Sequence, residues 1–262
     1  MSFLYGTAGW SYADWNGTVY PEKKPKDFNH LDFLARDFDF VEVNTTFYRL
    51  PSEKLVQGWA DKTGHLPHFQ FWLKLHQHLT HKRNVDRTEV DHFLQAIQPL
   101  ARQQKLSGLL AQFPYSFKSS ADNLGYILRL RELFADYPLA VEFRHRSWNR
   151  NDTLRFFRDR ELIWVNIDQP VISQSLPMTT YVTHNDYVYV RLHGRNYDNW
   201  FADKGRDARY DYDYKMEEIT SIAHKLKKLK KLAQKVFVSG NNHYKGSAVK
   251  NLKLLKKLMG QD

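Results

Sequence analysis

The sequence predicts an α/β fold, a TIM-type (β/α)8 barrel formed as one domain over residues 1–262. Three observations carry that expectation. Eight short β-rich runs alternate with segments whose apolar residues repeat at helical spacing. Polar side chains recur near the C-terminal ends of those runs, opposite an aliphatic face. The length of 262 residues lies in the range where α/β barrels form a single domain.

The elements follow in order. Residues 4–8 form a first strand ending in small residues. A long loop, 9–27, holds Trp10, Tyr12, Trp15 and Tyr20. Residues 28–38 read as a helix striped by Leu31, Leu34, Ala35 and Phe38. Strand 40–44 places Val41 and Val43 on one face and Glu42 and Asn44 on the other. The run 45–49, Thr-Thr-Phe-Tyr-Arg, reads as a polar and aromatic loop. Ser52 then caps a helix over 53–62.

The third strand is 70–75, with Trp72 and Lys74 sharing a face. A helix over 87–104 follows, kinked or shortened by Pro99. Strand 108–112 ends at Gln112, and 121–134 is helical. Strand 139–143 puts Glu142 and, beyond it, Arg144 opposite Val141 and Phe143. A helix starts near 151. Strand 162–167 sets Trp164, Asn166 and Asp168 against Ile163, Val165 and Ile167. Residues 169–186 lack a helical period and hold Pro170 and Pro177, so the barrel is expected to be irregular between strands 6 and 7. Strand 187–192 opposes Tyr189, Arg191 and His193 to Val188, Val190 and Leu192. A second aromatic loop, 194–214, includes Tyr197, Trp200, Phe201, Tyr210, Tyr212 and Tyr214. A helix over 217–234, a strand over 235–239, a turn and a last helix over 247–259 complete the chain.

Composition excludes some functions. The chain has no cysteine, so disulfides, thiolate metal sites and a thiol nucleophile are ruled out. No apolar run approaches the roughly 20 residues that span a bilayer, and no signal peptide is read at the N-terminus; a soluble, cytoplasmic protein without a membrane partner is expected. The net charge of +10 is local. Residues 215–257 hold twelve lysines, two glutamates and no arginine, while the remaining 27 basic and 27 acidic residues cancel. No Walker loop, nucleophile elbow or dinucleotide fingerprint is present.

Strands covered by helices on both faces read as continuous apolar runs. Here one face carries Glu42, Lys74, Gln112, Glu142, Arg144, Asp168, Arg191 and His193, and in a barrel that face should point inward. A self-compensated network of buried ion pairs would account for any one of these residues. Their gathering at strand C-termini, where barrel active sites lie, points instead to a site. Glu42, Glu142 and His193 are the catalytic candidates. Trp10, Tyr12, Asn44, Tyr48, Lys74, Gln112, Arg144, Asp168, Arg191, Asn241 and Asn242 are the substrate-binding candidates. Glu42, Glu142, Asp168 and His193 could chemically ligate a divalent metal, although no specific motif marks one.

With these residues in hand, the chain resembles the YecE-like family, also called domain-of-unknown-function family 72. The matching stretches are Gly6-Thr7-Ala8-Gly9-Trp10-Ser11-Tyr12, and Val41-Glu42-Val43-Asn44-Thr45-Thr46-Phe47-Tyr48-Arg49-Leu50-Pro51. They continue with Gln112-Phe113-Pro114, Val141-Glu142-Phe143-Arg144-His145 with Ser147-Trp148, Tyr189-Val190-Arg191-Leu192-His193-Gly194, and Asn241-Asn242-His243. The resemblance implies a TIM-type barrel and no established activity. The residues themselves favour an enzyme using acid/base or metal-assisted chemistry on a small polar substrate, sugar-like or phosphorylated, with hydrolysis, isomerisation and lyase chemistry all open. The alternative is a nucleic-acid-binding or nucleic-acid-processing protein that uses the lysine-rich C-terminal face.

Overall fold

The computed structural model describes residues 2–200, 206–229 and 232–261. Its eight strands are all parallel and close on themselves in sequence order. They are β1 (Ser2–Ala8), β2 (Phe40–Val43), β3 (Gln70–Lys74), β4 (Leu106–Gln112), β5 (Leu139–Glu142), β6 (Leu162–Asp168), β7 (Tyr187–Leu192) and β8 (Lys235–Gly240). Among the described residues the α-helices are α1 (His30–Ala35), α2 (Thr45–Tyr48), α3 (Glu53–Lys62), α4 (Arg87–Ala96), α5 (Gln98–Arg102), α6 (Ala121–Leu133), α7 (Asn151–Asp159), α8 (Arg206–Arg209), α9 (Met216–Leu229) and α10 (Ser247–Leu258). None is long and apolar enough to cross a membrane.

Local chemistry fixes the helix starts. Side-chain oxygens of Asn29, Ser52, Asp86 and Ser120 accept backbone N–H bonds at the first turns of α1, α3, α4 and α6. Pro99 divides the segment expected as one helix over 87–104. It sits in the first turn of α5, where its missing N–H costs no helical bond. The stripe of α9, Ile219, Ile222, Ala223, Leu226 and Leu229, is wholly buried, and each large member contributes about 1.5–3 kcal/mol of burial. The run after β2 departs from the expected loop: it winds into α2, and the Thr46 hydroxyl donates to the Val43 and Lys74 carbonyls, tying it to β3.

Pairing register shows which side chains enter the barrel, because partners across a parallel pair point the same way. Ala8 pairs with Glu42, Glu42 with Trp72, Gln112 with Glu142, and Arg191 with Ser239; these all point inward. The end of the barrel away from the strand C-termini is filled by Phe40, Trp72, Tyr189 and Phe237, with Trp72 and Tyr189 rings 4.6 Å apart. Above this aromatic layer lie the ions.

One strand reverses the expected assignment. Val141 pairs with Trp164, and Val190 and Leu192 pair with Asn166 and Asp168. Trp164, Asn166 and Asp168 therefore face outward, and Ile163, Val165 and Ile167 fill the interior. The cause is the crossover 169–186, which covers β6 where a helix would otherwise lie. Asn166 Oδ1 accepts from the Tyr181 backbone and the Thr179 hydroxyl, and its Nδ2 donates to the Tyr181 carbonyl. The Trp164 indole donates to Thr179. Polar side chains on β6 thus satisfy an irregular segment that cannot satisfy itself.

Candidate functional site

Arg191, on β7, is the centre of the buried charge. Its Nε donates to Glu42 Oε2 at 2.8 Å, Nη2 donates to Glu42 Oε1, and Nη1 donates to Glu142 Oε2. Glu42 also accepts from the Tyr189 hydroxyl at 2.8 Å and from Ser239 at 3.2 Å. Glu142 Oε1 pairs with Arg144 Nη2 at 2.8 Å and lies 3.2 Å from His193 Nε2, both away from good hydrogen-bond lines. Arg191, Glu42, Glu142, Arg144 and His193 thus form one network built on β2, β5 and β7 and the residues just past them. Burial alone would raise the Glu142 carboxyl, but Arg144, Arg191 and His193 outweigh it and hold the group well below the usual carboxylate range. Burial, then Glu42, pushes the Tyr189 phenol well above its ordinary value.

His193 is fully buried and stays neutral. Burial, then the Arg144 charge, pulls it down to about 3 despite Glu142. Its Nδ1 lies 2.8 Å from Asn241 Nδ2, so Nδ1 accepts and Nε2 carries the proton toward Glu142.

Lys74 stands apart from this network. Its Nζ donates to Gln112 Oε1 at 2.8 Å and sits 4.1 Å from the centre of the Phe47 ring. It has no carboxylate partner among the described residues. Burial, then Arg191, pulls it down to about 7, and Glu142 and Glu42 offset this only in part. His81, packed on the same Phe47 ring, is pulled down to about 4 by burial, Lys74 and Arg144. Both shifts come first from burial, with neighbouring cations adding to it.

A small cleft of about 40 Å³ opens above these groups, lined by Tyr12, Asn44, Tyr48, Lys74, Gln112, Arg191, Tyr210, Asn241 and His243. The first aromatic loop reaches it by a built route. Gly9 has φ +92°, and a Cβ there would lie 2.6 Å from the Tyr12 hydroxyl, which donates to the Ala8 carbonyl. The turn sets Tyr12 flat against His243, rings 4.3 Å apart, while the Trp15 indole donates to the His243 carbonyl.

Seven of the sequence candidates line this cleft: Tyr12, Asn44, Tyr48, Lys74, Gln112, Arg191 and Asn241. Glu42, Glu142 and His193 lie in its floor beneath Arg191, and Arg144 joins them, with its guanidinium 5.3 Å from the Trp200 ring and bonded to Gln169. Three candidates lie elsewhere. Trp10 packs edge-on against Trp59. Asn242 donates to the Tyr212 carbonyl and to Asn251, bracing the turn after β8. Asp168, on the outward face of β6, accepts from Arg195 and from the Tyr214 hydroxyl. The set Glu42, Glu142, Asp168 and His193 is therefore not gathered around one point, because β6 turns Asp168 away and Arg191 fills the space between the glutamates.

Tyr210 and His243 line the cleft without having been singled out. His243 follows the eighth strand just as His193 follows the seventh, and that parallel was the available clue. Tyr210 belongs to an aromatic loop in which no pattern distinguishes one ring from another, and Phe201 of that loop lies outside the described residues.

The family model for "Protein of unknown function DUF72" matches residues 4–262. The chain belongs to the DUF72 family. It is 30% identical to the UPF0759 protein YunF of Bacillus subtilis over 269 residues, covering 97% of this chain and 93% of that protein. The crystal structure of a DUF72 family protein, TM1631 of Thermotoga maritima, is similar at a TM-score of 0.87 with 36% identity, each chain covered in full. The structure of the DUF72 family protein EF0366 of Enterococcus faecalis is similar at a TM-score of 0.87 with 26% identity, covering 100% of this chain and 96% of that one. DUF72 membership fixes the barrel and leaves the chemistry to the residues of the mouth.

Proposed function

We propose that the barrel mouth is the active site of an enzyme acting by acid/base chemistry on a small polar substrate, sugar-like or phosphorylated. The observation that carries this reading is Lys74: a buried amine lining the cleft, pulled down to about 7, and bonded only to neutral partners. A group poised near neutral pH is both a competent base and a competent acid. Burial, with Arg191 as a second and smaller cause, brings this lysine to that condition.

The other groups take roles around it. Lys74, Arg144 and Arg191 make the mouth attractive to an anionic group. The unpartnered Asn44 Oδ1 supplies an acceptor, and Tyr12, Tyr48, Tyr210 and His243 supply flat walls. In this reading Glu42 and Glu142 are fixed counter-charges for Arg191, and neutral His193 orients Glu142.

The test is a thermal-shift screen of phosphorylated sugars and sugar acids, followed by turnover assays on the hits. A substrate should turn over with an acid limb near pH 7 that Lys74→Met removes while the fold is retained. Binding with unchanged turnover in that variant would exclude Lys74 as the proton carrier. A screen in which nothing binds would remove the reading.

The nucleic-acid alternative draws less support. On α9, Lys227 and Lys228 are exposed but Lys225 is half-buried, and Lys230 and Lys231 lie outside the described residues. Farther on, Lys250 pairs with Asp213 and Lys253 with Asp37. Charges already paired within the protein release fewer counterions from a phosphate backbone.

A further inference from the structure

We propose that His76, His78 and Glu89 form a binding site for a borderline divalent metal ion of the zinc class, on the rim of the barrel and separate from the salt-bridged floor. The three residues come from two elements. His76 and His78 leave the end of β3 as a His-x-His pair, and Glu89 projects from the first turn of α4. Among the described residues, this is a group in which three potential ligand atoms lie within 4.8 Å of one another.

The geometry is close to what such an ion requires. Glu89 Oε2 lies 2.8 Å from His78 Nδ1 and 3.9 Å from His76 Nδ1. Bonds of about 2.0–2.2 Å at tetrahedral angles set ligand atoms roughly 3.3–3.5 Å apart. The two observed separations bracket that value, and partial rotation of the exposed-side carboxylate suffices to equalise them. Two imidazoles and one carboxylate are the borderline nitrogen and oxygen donors that zinc accepts, and three protein ligands leave a fourth position to water.

A second observation points to a ligand. His76 is only 7% exposed, and its Nδ1 has no hydrogen-bond partner. That nitrogen faces Glu89 Oε2 at 3.9 Å, beyond hydrogen-bond reach. A buried ring nitrogen left bare within 4.8 Å of a second imidazole and a carboxylate is placed as a metal ligand would be. An unsatisfied buried nitrogen is costly, and a metal would satisfy it.

The surroundings supply access and a built-in opposition. His78 and Glu89 are each nearly 30% exposed at the side chain, so an ion can enter from solvent. His78 opens a single π-turn, His78–Lys82, a local widening often found at functional positions. Lys82 Nζ lies 3.1 Å from His78 Nε2. As the side chains stand, Lys82 donates to Nε2 and Nδ1–H donates to Glu89. Metal binding at Nδ1 would move that proton to Nε2 and displace the exposed lysine. An ion held here would tie α4 to the segment that follows Lys74.

The experiment uses the full chain, stripped with chelator and titrated with zinc in competition with a chromogenic chelator, and cobalt(II) as a spectroscopic probe. One equivalent should bind with micromolar or tighter affinity, and cobalt should give the intense visible bands of a tetrahedral site. His78→Gln and Glu89→Gln should each weaken zinc by more than about 100-fold and abolish those bands, exceeding the loss typical of outer-shell partners. Lys82→Gln should tighten zinc. Lys74→Met should leave zinc affinity unchanged, which separates this site from the proposed active site. Circular dichroism checks that the variants are folded, and His78 and Glu89 are chosen because both are partly exposed. No uptake by the wild type, or equal uptake by the His78→Gln, Glu89→Gln double variant, would overturn the proposal.

Discussion

His193 Nε2 lies 3.2 Å from Glu142 Oε1 in the barrel interior, with both side chains fully buried, and the imidazole is nonetheless neutral. A carboxylate neighbour normally raises a histidine. Here burial and Arg144 lower it further than Glu142 raises it. The ring signals of His193 should therefore show no titration between pH 5 and 8 by NMR. The folded value of about 3 lies below the ordinary 6.5, so the unfolded chain takes up a proton first. His193 should cost nothing above pH 6.5 and destabilise the fold progressively as the pH falls toward 3. A titration midpoint near neutrality would contradict this assignment.

Lys74 acts in the same sense over a higher pH window. Its folded value of about 7 lies below the ordinary 10.5, so between these limits the unfolded chain holds a proton that the folded chain lacks. Its cost to stability is complete below pH 7 and is recovered as pH rises toward 10.5. Lys74→Met should raise the melting temperature at pH 6 by several degrees, and the gain should shrink at pH 10. A gain that is independent of pH would show that the amine is not the cause.

Removing Arg191 should be severe. Its guanidinium is shared by Glu42 and Glu142, and Arg191→Met would leave two buried carboxylates without it. Breaking a buried pair from one side costs about 3–5 kcal/mol. Urea unfolding of Arg191→Met should show at least that loss. The triple variant with Glu42→Gln and Glu142→Gln should recover part of it, because both buried carboxylate charges are then gone and only Arg144 is left without its carboxylate partner.

Two glycines should respond in opposite directions to alanine. A Cβ on Gly6 would lie 2.2 Å from the Phe40 carbonyl oxygen, a backbone atom that cannot turn aside. Gly6→Ala should destabilise by about 1–3 kcal/mol through overpacking. Gly58, inside α3, has nothing within 4 Å of its Cβ position, so Gly58→Ala should stabilise by about 0.5–1 kcal/mol. Chemical denaturation of both variants checks the pair.

How much of this was legible in the sequence differs from strand to strand. Strands β2, β3, β5 and β7 alternate between aliphatic and polar residues, and the inward placement of Glu42, Lys74, Glu142 and Arg191 follows from period two alone. β6 alternates just as clearly, yet Trp164, Asn166 and Asp168 face outward. Alternation identifies two faces; it does not say what covers each. Elsewhere the cover is an apolar helix, but over β6 it is the hydrogen-bonding crossover 169–186, and the polar face turns to meet it. The His76, His78 and Glu89 group was missed for a related reason. Helical spacing does not mark it, because the two histidines stand two residues apart just past the end of β3 and the carboxylate arrives from the following helix.

The aromatic layer of Phe40, Trp72, Tyr189 and Phe237 closes the lower end of the barrel, so among the described residues the cleft opens at the mouth. Nothing held in the cleft can drain through the bottom, so arrival and departure use the same opening between Tyr12, Tyr48 and Tyr210. Incoming and outgoing molecules must take turns. Were the proposed reaction carried out there, the residence time of the product would limit how soon the next molecule is admitted, and the rings at the threshold would bear on throughput.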